Sequence, residues 1–323
     1  MLTSRKDITM NALLGFAVGD AYGVPYEFLT REQISHLTLG DMVGCESDAP
    51  LSYWGSRIPA GAWSDDTSMI VASMDSVVRK GHFDSDDIMK SFINWWYHGQ
   101  YTSLSYPFGL GGTVAHALDH YQSGYAADQC GMDSFYDNGN GSLMRILPYS
   151  LYCIFNDFDF KKTCEVISKG SSLTHAHEIS QMCCVIYTEL LRRIINGYDI
   201  HQALVEAMKC PYNQYFSIET NQHLMTACEN INGLTMDELA DENGYVVETL
   251  KGVIYSLLHS HNYEEAIKIA VTIGYDTDTV AGITGAVAGV IYGASSIPEQ
   301  WLNTLKRKEY LEKLADDFVK VIA

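Results

Sequence analysis

Two short acidic runs carry the residue types that hold hard cations. Ser64-Asp65-Asp66-Thr67 sets two adjacent carboxylates between hydroxyls, and Asp276-Thr277-Asp278-Thr279 alternates carboxylate with hydroxyl. Oxygen donors packed this densely suit Mg²⁺ or Mn²⁺. The plain alternative is helix capping, because one Asp or Ser before an apolar helix is ordinary. Capping accounts for one acid in each run, not for both. Jointly the runs have donors for one or two ions, which in two-metal hydrolases sit about 3.5–4 Å apart.

Three further segments carry chemistry of their own. In Gly15–Phe28 a helix runs out near Gly23 and a turn containing Pro25 presents Glu27, which read by itself is a loop acid. Asp20 falls near that helix's C-terminal end, where a negative charge is unfavourable, so a specific partner is expected for it. In Asn138-Gly139-Asn140-Gly141-Ser142-Leu143-Met144-Arg145, a Gly/Asn-rich turn before a helix can aim successive amide N–H groups at an anion. It lacks the lysine and spacing of a P-loop, and an ordinary tight turn is the competing account. Arg145 reads as a buried ion-pair residue. Ser172-Leu173-Thr174-His175-Ala176-His177-Glu178 is not the H-E-x-x-H zinc pattern, and a capping Thr174 followed by core or surface histidines explains it.

Helices must position these groups. Apolar residues recur at helical spacing over roughly 8–21, 66–80, 84–98, 112–122, 158–169, 176–196, 199–209, 246–259, 262–273, 279–292 and 301–321. Caps are expected at Asp66 or Thr67, Asp84, Thr174, and Asp278 or Thr279. Gly282, Gly285 and Gly289 lie inside the predicted 279–292 helix, where each costs about 1 kcal/mol against alanine, so close approach of another backbone is expected there. Alternating strand patterns are absent. The longest loop candidate, 35–63, is rich in Gly, Ser and Pro and leads straight into Asp65. No linker interrupts the chain, which predicts one all-α domain over 1–323.

The composition narrows the partners. With 323 residues, 47% of them hydrophobic and 19% charged, the chain can bury a sizeable core. Its formal net charge of -19 disfavours nucleic acid or an anionic membrane as the main partner. An anionic small molecule stays open, because metals or local amides outweigh a distant surface field. Eight cysteines without a CxxC pair are expected to be reduced, buried thiols in a cytoplasmic protein. No run of apolar residues is long enough to span a membrane, and the N-terminus lacks a clean signal-peptide pattern.

Taken in order, GDAYGVPYEF, WSDDT, NGNGSLMR, LTHAH and GYDTDTVAG resemble the ADP-ribosylglycohydrolase family, which includes dinitrogenase reductase-activating and ADP-ribosylarginine hydrolases. The similarity runs from about Ala12 to Gly293. It implies a compact all-α fold with a central dimetal cleft, two Mg²⁺ (or Mn²⁺) ions, and an ADP-ribosylated protein or small ADP-ribose conjugate as substrate. By the resemblance, Ser64, Asp65, Asp66, Asp276, Asp278 and Thr279 are metal ligands. Glu27 approaches the scissile bond and shares acid–base work with Asp66. Asp20, the stretch Gly111, Gly112 and Thr113, the turn Gly139, Asn140, Gly141 and Ser142, and His175 are substrate-binding residues. Where some arginine-directed members carry an Asp-Ile-Gly-Asn-Thr-like segment, this chain has Gly109-Leu110-Gly111-Gly112-Thr113, so the acceptor is left open. Two alternatives accompany this reading: a non-catalytic ADP-ribose-binding or crystallin-like member, and a two-metal phosphohydrolase.

Overall fold

The computed structural model describes residues 4–45, 53–239 and 244–322; of the loop expected over 35–63, positions 46–52 lie outside the described residues. Among the described residues the fold is helical, without strands, and with isolated bridges at Met132–His175 and Gly139–Tyr245. The first helices are α1 (Arg5–Gly23), α2 (Arg31–Ser35), α3 (Asp65–Lys80), α4 (Ser85–His98) and α5 (Gly112–Gln122). The middle of the chain forms α6 (Leu147–Phe155), α7 (Phe160–Ser172), α8 (Glu178–Ile195), α9 (Ile200–Met208) and α10 (Ile218–Ala227). It closes with α11 (Val246–Leu258), α12 (Tyr263–Thr272), α13 (Thr277–Tyr292), α14 (Glu299–Thr304) and α15 (Lys308–Ile322).

Helices α1 and α13 form the spine and position the acidic runs. A Cβ at Gly15 would lie 2.2 Å from the Gly285 carbonyl oxygen, and one at Gly19 would lie 2.1 Å from that of Ala281. The two backbones therefore touch. The succession Gly15–Gly285, Gly19–Ala281, Gly23–Asp278 shows that the helices run antiparallel. The C-terminal end of α1 thus meets the N-terminal end of α13. The glycine penalty in each helix is offset by the dispersion contacts that this approach allows. Tyr263 on α12 ties the pair down, its hydroxyl donating to the Gly15 carbonyl at 2.6 Å.

Several expectations need correction. Ser64, not Asp66 or Thr67, caps α3, and His177, not Thr174, occupies the N-cap position of α8. Asp276, not Asp278 or Thr279, stands at the N-cap position of α13, with no capping bond from its side chain. Asp84 caps α4 as expected. The single helix expected over 301–321 is two, because Arg307 sits at φ 55 and Lys306 N–H donates to the Gly61 carbonyl. Helix α6 escaped the pattern because it is apolar almost throughout and mostly buried, so it has no polar face to betray a period. Helix α10 escaped for the opposite reason, burying only Thr220 and Leu224. Seven of the eight cysteines are buried, and no helix among the described residues is long and apolar enough to cross a membrane.

Candidate metal centre and substrate cleft

Three helix ends and one turn converge on the acidic cluster. Asp20, fully buried on α1, receives hydrogen bonds from Ser64 N–H (2.9 Å), Thr67 N–H (3.1 Å) and the Thr67 hydroxyl (2.6 Å). The partner expected for Asp20 is therefore the N-terminus of α3. Ser64 Oγ accepts from Asp66 N–H at 3.3 Å, which leaves both aspartates of the run free of capping duty. They stand in the first turn of α3, and Asp278 stands in the first turn of α13. Two helix N-termini thus favour negative charge at one place.

Glu27 is fastened to this cluster from two sides. Phe28 N–H donates to the Tyr275 carbonyl (2.6 Å) and Tyr275 N–H to the Leu29 carbonyl (2.7 Å). Both Phe28 (φ 63) and Tyr275 (φ 61) adopt left-handed backbone, a conformation that costs non-glycine residues roughly 1–3 kcal/mol. This clip binds the Glu27 turn to the Asp276 turn. On the opposite side, the indole N–H of Trp54 donates to Glu27 Oε2 at 2.5 Å. One carboxylate oxygen from each of Glu27, Asp276 and Asp278 falls within 4.8 Å of the others. The Asn140 amide reaches the same group, donating to Asp276 Oδ2 at 2.6 Å and Thr249 Oγ1 at 3.0 Å.

Charge defines the site. Burial pushes the Asp20 carboxyl up to about 6 against its surrounding hydrogen bonds, and burial with the Asp20 charge pushes Asp65 to about 7. Asp66 is driven well above the carboxylate range by burial and then by Asp65, Asp20 and Asp276. Asp278 rises through burial, Glu27 and Asp66, and Glu27 rises through burial and Asp276 against the Trp54 hydrogen bond. No lysine or arginine lines the cleft among the described residues. The buried Asp66 Oδ2 has no hydrogen-bond partner. A buried carboxylate oxygen without a donor is costly unless a cation or proton meets it. The donor set, all carboxylate and hydroxyl oxygen, fits hard divalent cations.

The cleft above these acids encloses about 310 Å³, near the small end for ligand sites. Glu27, Asp65, Asp66, Asp276, Asp278 and Thr279 line it, together with Gly111, Gly112, Thr113, Gly139, Asn140, Gly141 and His175. The other predicted residues lie behind this lining. Ser64 caps α3, Asp20 holds that cap from beneath, and the fully buried Ser142 hydroxyl is hydrogen-bonded to the Ser171 hydroxyl at 2.9 Å. The turn is also less open than an anion nest, because Asn140 N–H already donates to the Gly244 carbonyl.

Sequence reasoning missed Trp54, Tyr53, Phe28 and Gly244 in the lining. The Tyr53-Trp54 pair in a Gly/Ser/Pro-rich loop was a usable signal; Gly244 offered none. Gly109 has φ +71, and a Cβ there would lie 2.1 Å from Asp65 Oδ1, so a side chain at 109 would strain the backbone and require the Asp65 carboxylate to move.

An all-helical protein with a carboxylate-floored cleft is the class that fold and site define. Comparison with known proteins supplies the family: the ADP-ribosylglycohydrolase profile matches residues 1–323, and the chain belongs to that family. Over 314 residues it is 30% identical to the ADP-ribosylarginine hydrolase Tri1 of Pseudomonas putida (strain GB-1), covering 96% of this chain and 77% of that one. It is 27% identical to the ADP-ribosyl-[dinitrogen reductase] glycohydrolase of Rhodospirillum rubrum, covering 94% and 92%. A solved structure described as an ADP-ribosylglycohydrolase-related protein complex superposes with TM-score 0.77 at 25% identity over the whole of both chains. The chain is accordingly a glycosidic-bond hydrolase of the ADP-ribosyl class.

Proposed function

We propose that this protein hydrolyses the bond between the distal ribose C1″ of an ADP-ribosyl group and its acceptor, with two divalent cations (Mg²⁺, or Mn²⁺) held at the acidic cluster. The observation that carries the reading is the convergence of Glu27, Asp65, Asp66, Asp276 and Asp278 on one cleft, with Asp66 Oδ2 unsatisfied and no basic side chain in the lining. Asp65, Asp66, Asp276, Asp278 and Thr279 would hold the ions, with Ser64 contributing through its cap. Bound there, the ions would neutralise the cluster and supply Lewis-acid polarisation for the sugar hydroxyls and water. They also resolve a conflict of charge, since an anionic substrate must enter a protein of net charge -19.

The chain's own groups divide the remaining work. Glu27 is the acid that Trp54 and the Phe28–Tyr275 clip hold in a fixed pose. We assign it proton exchange with the attacking water or the departing acceptor atom, with Asp66 as its partner across the bond. Gly139, Asn140, Gly141 and His175 take the pyrophosphate side, and Gly111, Gly112 and Thr113 the acceptor side. The resemblance to an ADP-ribosylarginine hydrolase supports an arginine acceptor, whereas Gly109 stands where some arginine-directed members of the family carry an aspartate. Incubation with Mg²⁺ and ADP-ribosylated arginine, serine or nucleic acid tests the reading and identifies the acceptor. Free ADP-ribose as product supports it. AMP or phosphate as product, or tight binding without turnover, contradicts it.

A further inference from the structure

Arg145, expected to sit in an ion pair, is fully buried, and none of the ion pairs among the described residues includes it. Its guanidinium donates to the carbonyls of Gly170 (3.1 Å) and Ser171 (3.3 Å) and to Thr174 Oγ1 (2.8 Å), and lies 5.3 Å from the Phe92 ring centre. Its Nε has no partner. Burying an arginine without a carboxylate is costly. Thr174 Oγ1 is also 2.8 Å from His175 Nδ1, so a three-member chain runs from the buried cation to a residue that lines the cleft.

The direction of that chain follows from what each group can do. A guanidinium only donates. Thr174 Oγ1 therefore accepts from Arg145 and directs its own hydrogen at His175 Nδ1. That nitrogen must then keep its lone pair, which in a neutral imidazole puts the proton on Nε2. The reverse arrangement would leave the Thr174 oxygen between two donors and its hydrogen without an acceptor. The environment agrees: burial, with the Arg145 charge, pushes His175 down to about 3, so the ring stays neutral. The backbone is fixed as well, the Ser171 hydroxyl donating to the His175 carbonyl at 2.9 Å. With Nδ1 turned to Thr174, the opposite ring edge faces the glycine turn. A Cβ at Gly141 would lie 2.8 Å from His175 Cε1, and one at Gly139 would lie 3.4 Å from Nε2. The two glycines leave that edge clear.

We propose that Arg145 and Thr174 are positioning residues that lock His175 in its Nε2–H form, so that it offers a neutral hydrogen-bond donor to a phosphate oxygen beside Gly139 and Gly141. The choice of phosphate rests on the ADP-ribosyl reading above; the lock itself does not. Unlike an imidazolium, a donor of this kind keeps its proton across neutral pH.

The test is ¹⁵N NMR of the histidine-labelled, Mg²⁺-loaded protein, with His175→Gln to assign the signal and ADP-ribose as the probe ligand. The expected spectrum shows Nδ1 unprotonated and Nε2 protonated, unchanged from about pH 5 to 8. Thr174→Val, which leaves Arg145 its bonds to the Gly170 and Ser171 carbonyls, should release the ring into a tautomer mixture and weaken ADP-ribose by the inverse of the surviving Nε2–H fraction, about twofold for an equal mixture. Thr174→Ser should restore both. A proton on Nδ1, titration of His175 near 6.5, or an unchanged spectrum in Thr174→Val overturns the lock. Wild-type protein with the expected spectrum that fails to bind ADP-ribose keeps the lock and overturns the phosphate assignment.

Discussion

Replacing Asp65 by Asn should stabilise the protein when divalent cations are removed. The Asp65 carboxyl is lifted from its usual 3.8 to about 7, first by burial and then by the charges of Asp20 and Asp276. Below pH 3.8 it is protonated whether the chain is folded or not, and it costs nothing. As pH rises through that value the unfolded chain ionises freely while the folded one resists, so stability falls until the folded group ionises near 7. At about 1.4 kcal/mol for each pKa unit, the ion-free fold carries a penalty of roughly 4 kcal/mol at pH 8. Asparagine keeps the shape and removes the charge. Urea unfolding in EDTA should therefore show Asp65→Asn more stable than wild type at pH 8 by up to about 4 kcal/mol, with the gap closing near pH 4. Saturating Mg²⁺ should shrink or invert that gap, since a ligand at 100 times its Kd adds about 2.7 kcal/mol to the protein that binds it. The reasoning fails if Asp65→Asn is the less stable protein in EDTA at pH 8, or if the gap ignores pH.

Three other perturbations separate the scaffold from the site. Gly285→Val sets a Cβ 2.2 Å from the Gly15 carbonyl oxygen, so thermal melting should show a loss of about 3 kcal/mol or more as α1 and α13 part. Gly109→Ala forces a left-handed alanine against the Asp65 carboxylate; calorimetry should find weakened divalent-cation binding with little change in helical circular dichroism. Trp54→Phe keeps an aromatic ring but removes the hydrogen bond to Glu27. Steady-state kinetics should show kcat down by about tenfold or more, the scale of one hydrogen bond to a charged group, with KM changed less.

Much of this was legible in the sequence because the acids are local runs and the helices amphipathic. Asp65-Asp66 and Asp276-x-Asp278 announce themselves, and glycines repeated along one helix signalled that a second backbone packs on it. Which backbone was not legible, because the pairing of Gly15 with Gly285 is fixed by tertiary contact between distant segments. The caps were misplaced for a related reason. Ser64 wins the α3 cap because Asp20, on another helix, receives the neighbouring amides and holds the run in register. Thr174 is drawn away from capping by Arg145 and His175. The Tyr53-Trp54 pair marks its loop, but the partner of Trp54 was not legible, because only the folded turn brings the indole to Glu27.

The central claim is that the buried carboxylates form a divalent-cation centre on which hydrolysis depends. Isothermal titration of Mg²⁺ and Mn²⁺ into chelator-treated wild type and Asp66→Asn, with ADP-ribose release followed on the same samples, tests it most directly. The account predicts that wild type binds the ions and regains activity with them, while Asp66→Asn, still helical by circular dichroism, loses both. Full release of ADP-ribose by the chelated wild type, or undiminished ion binding by Asp66→Asn, would contradict it.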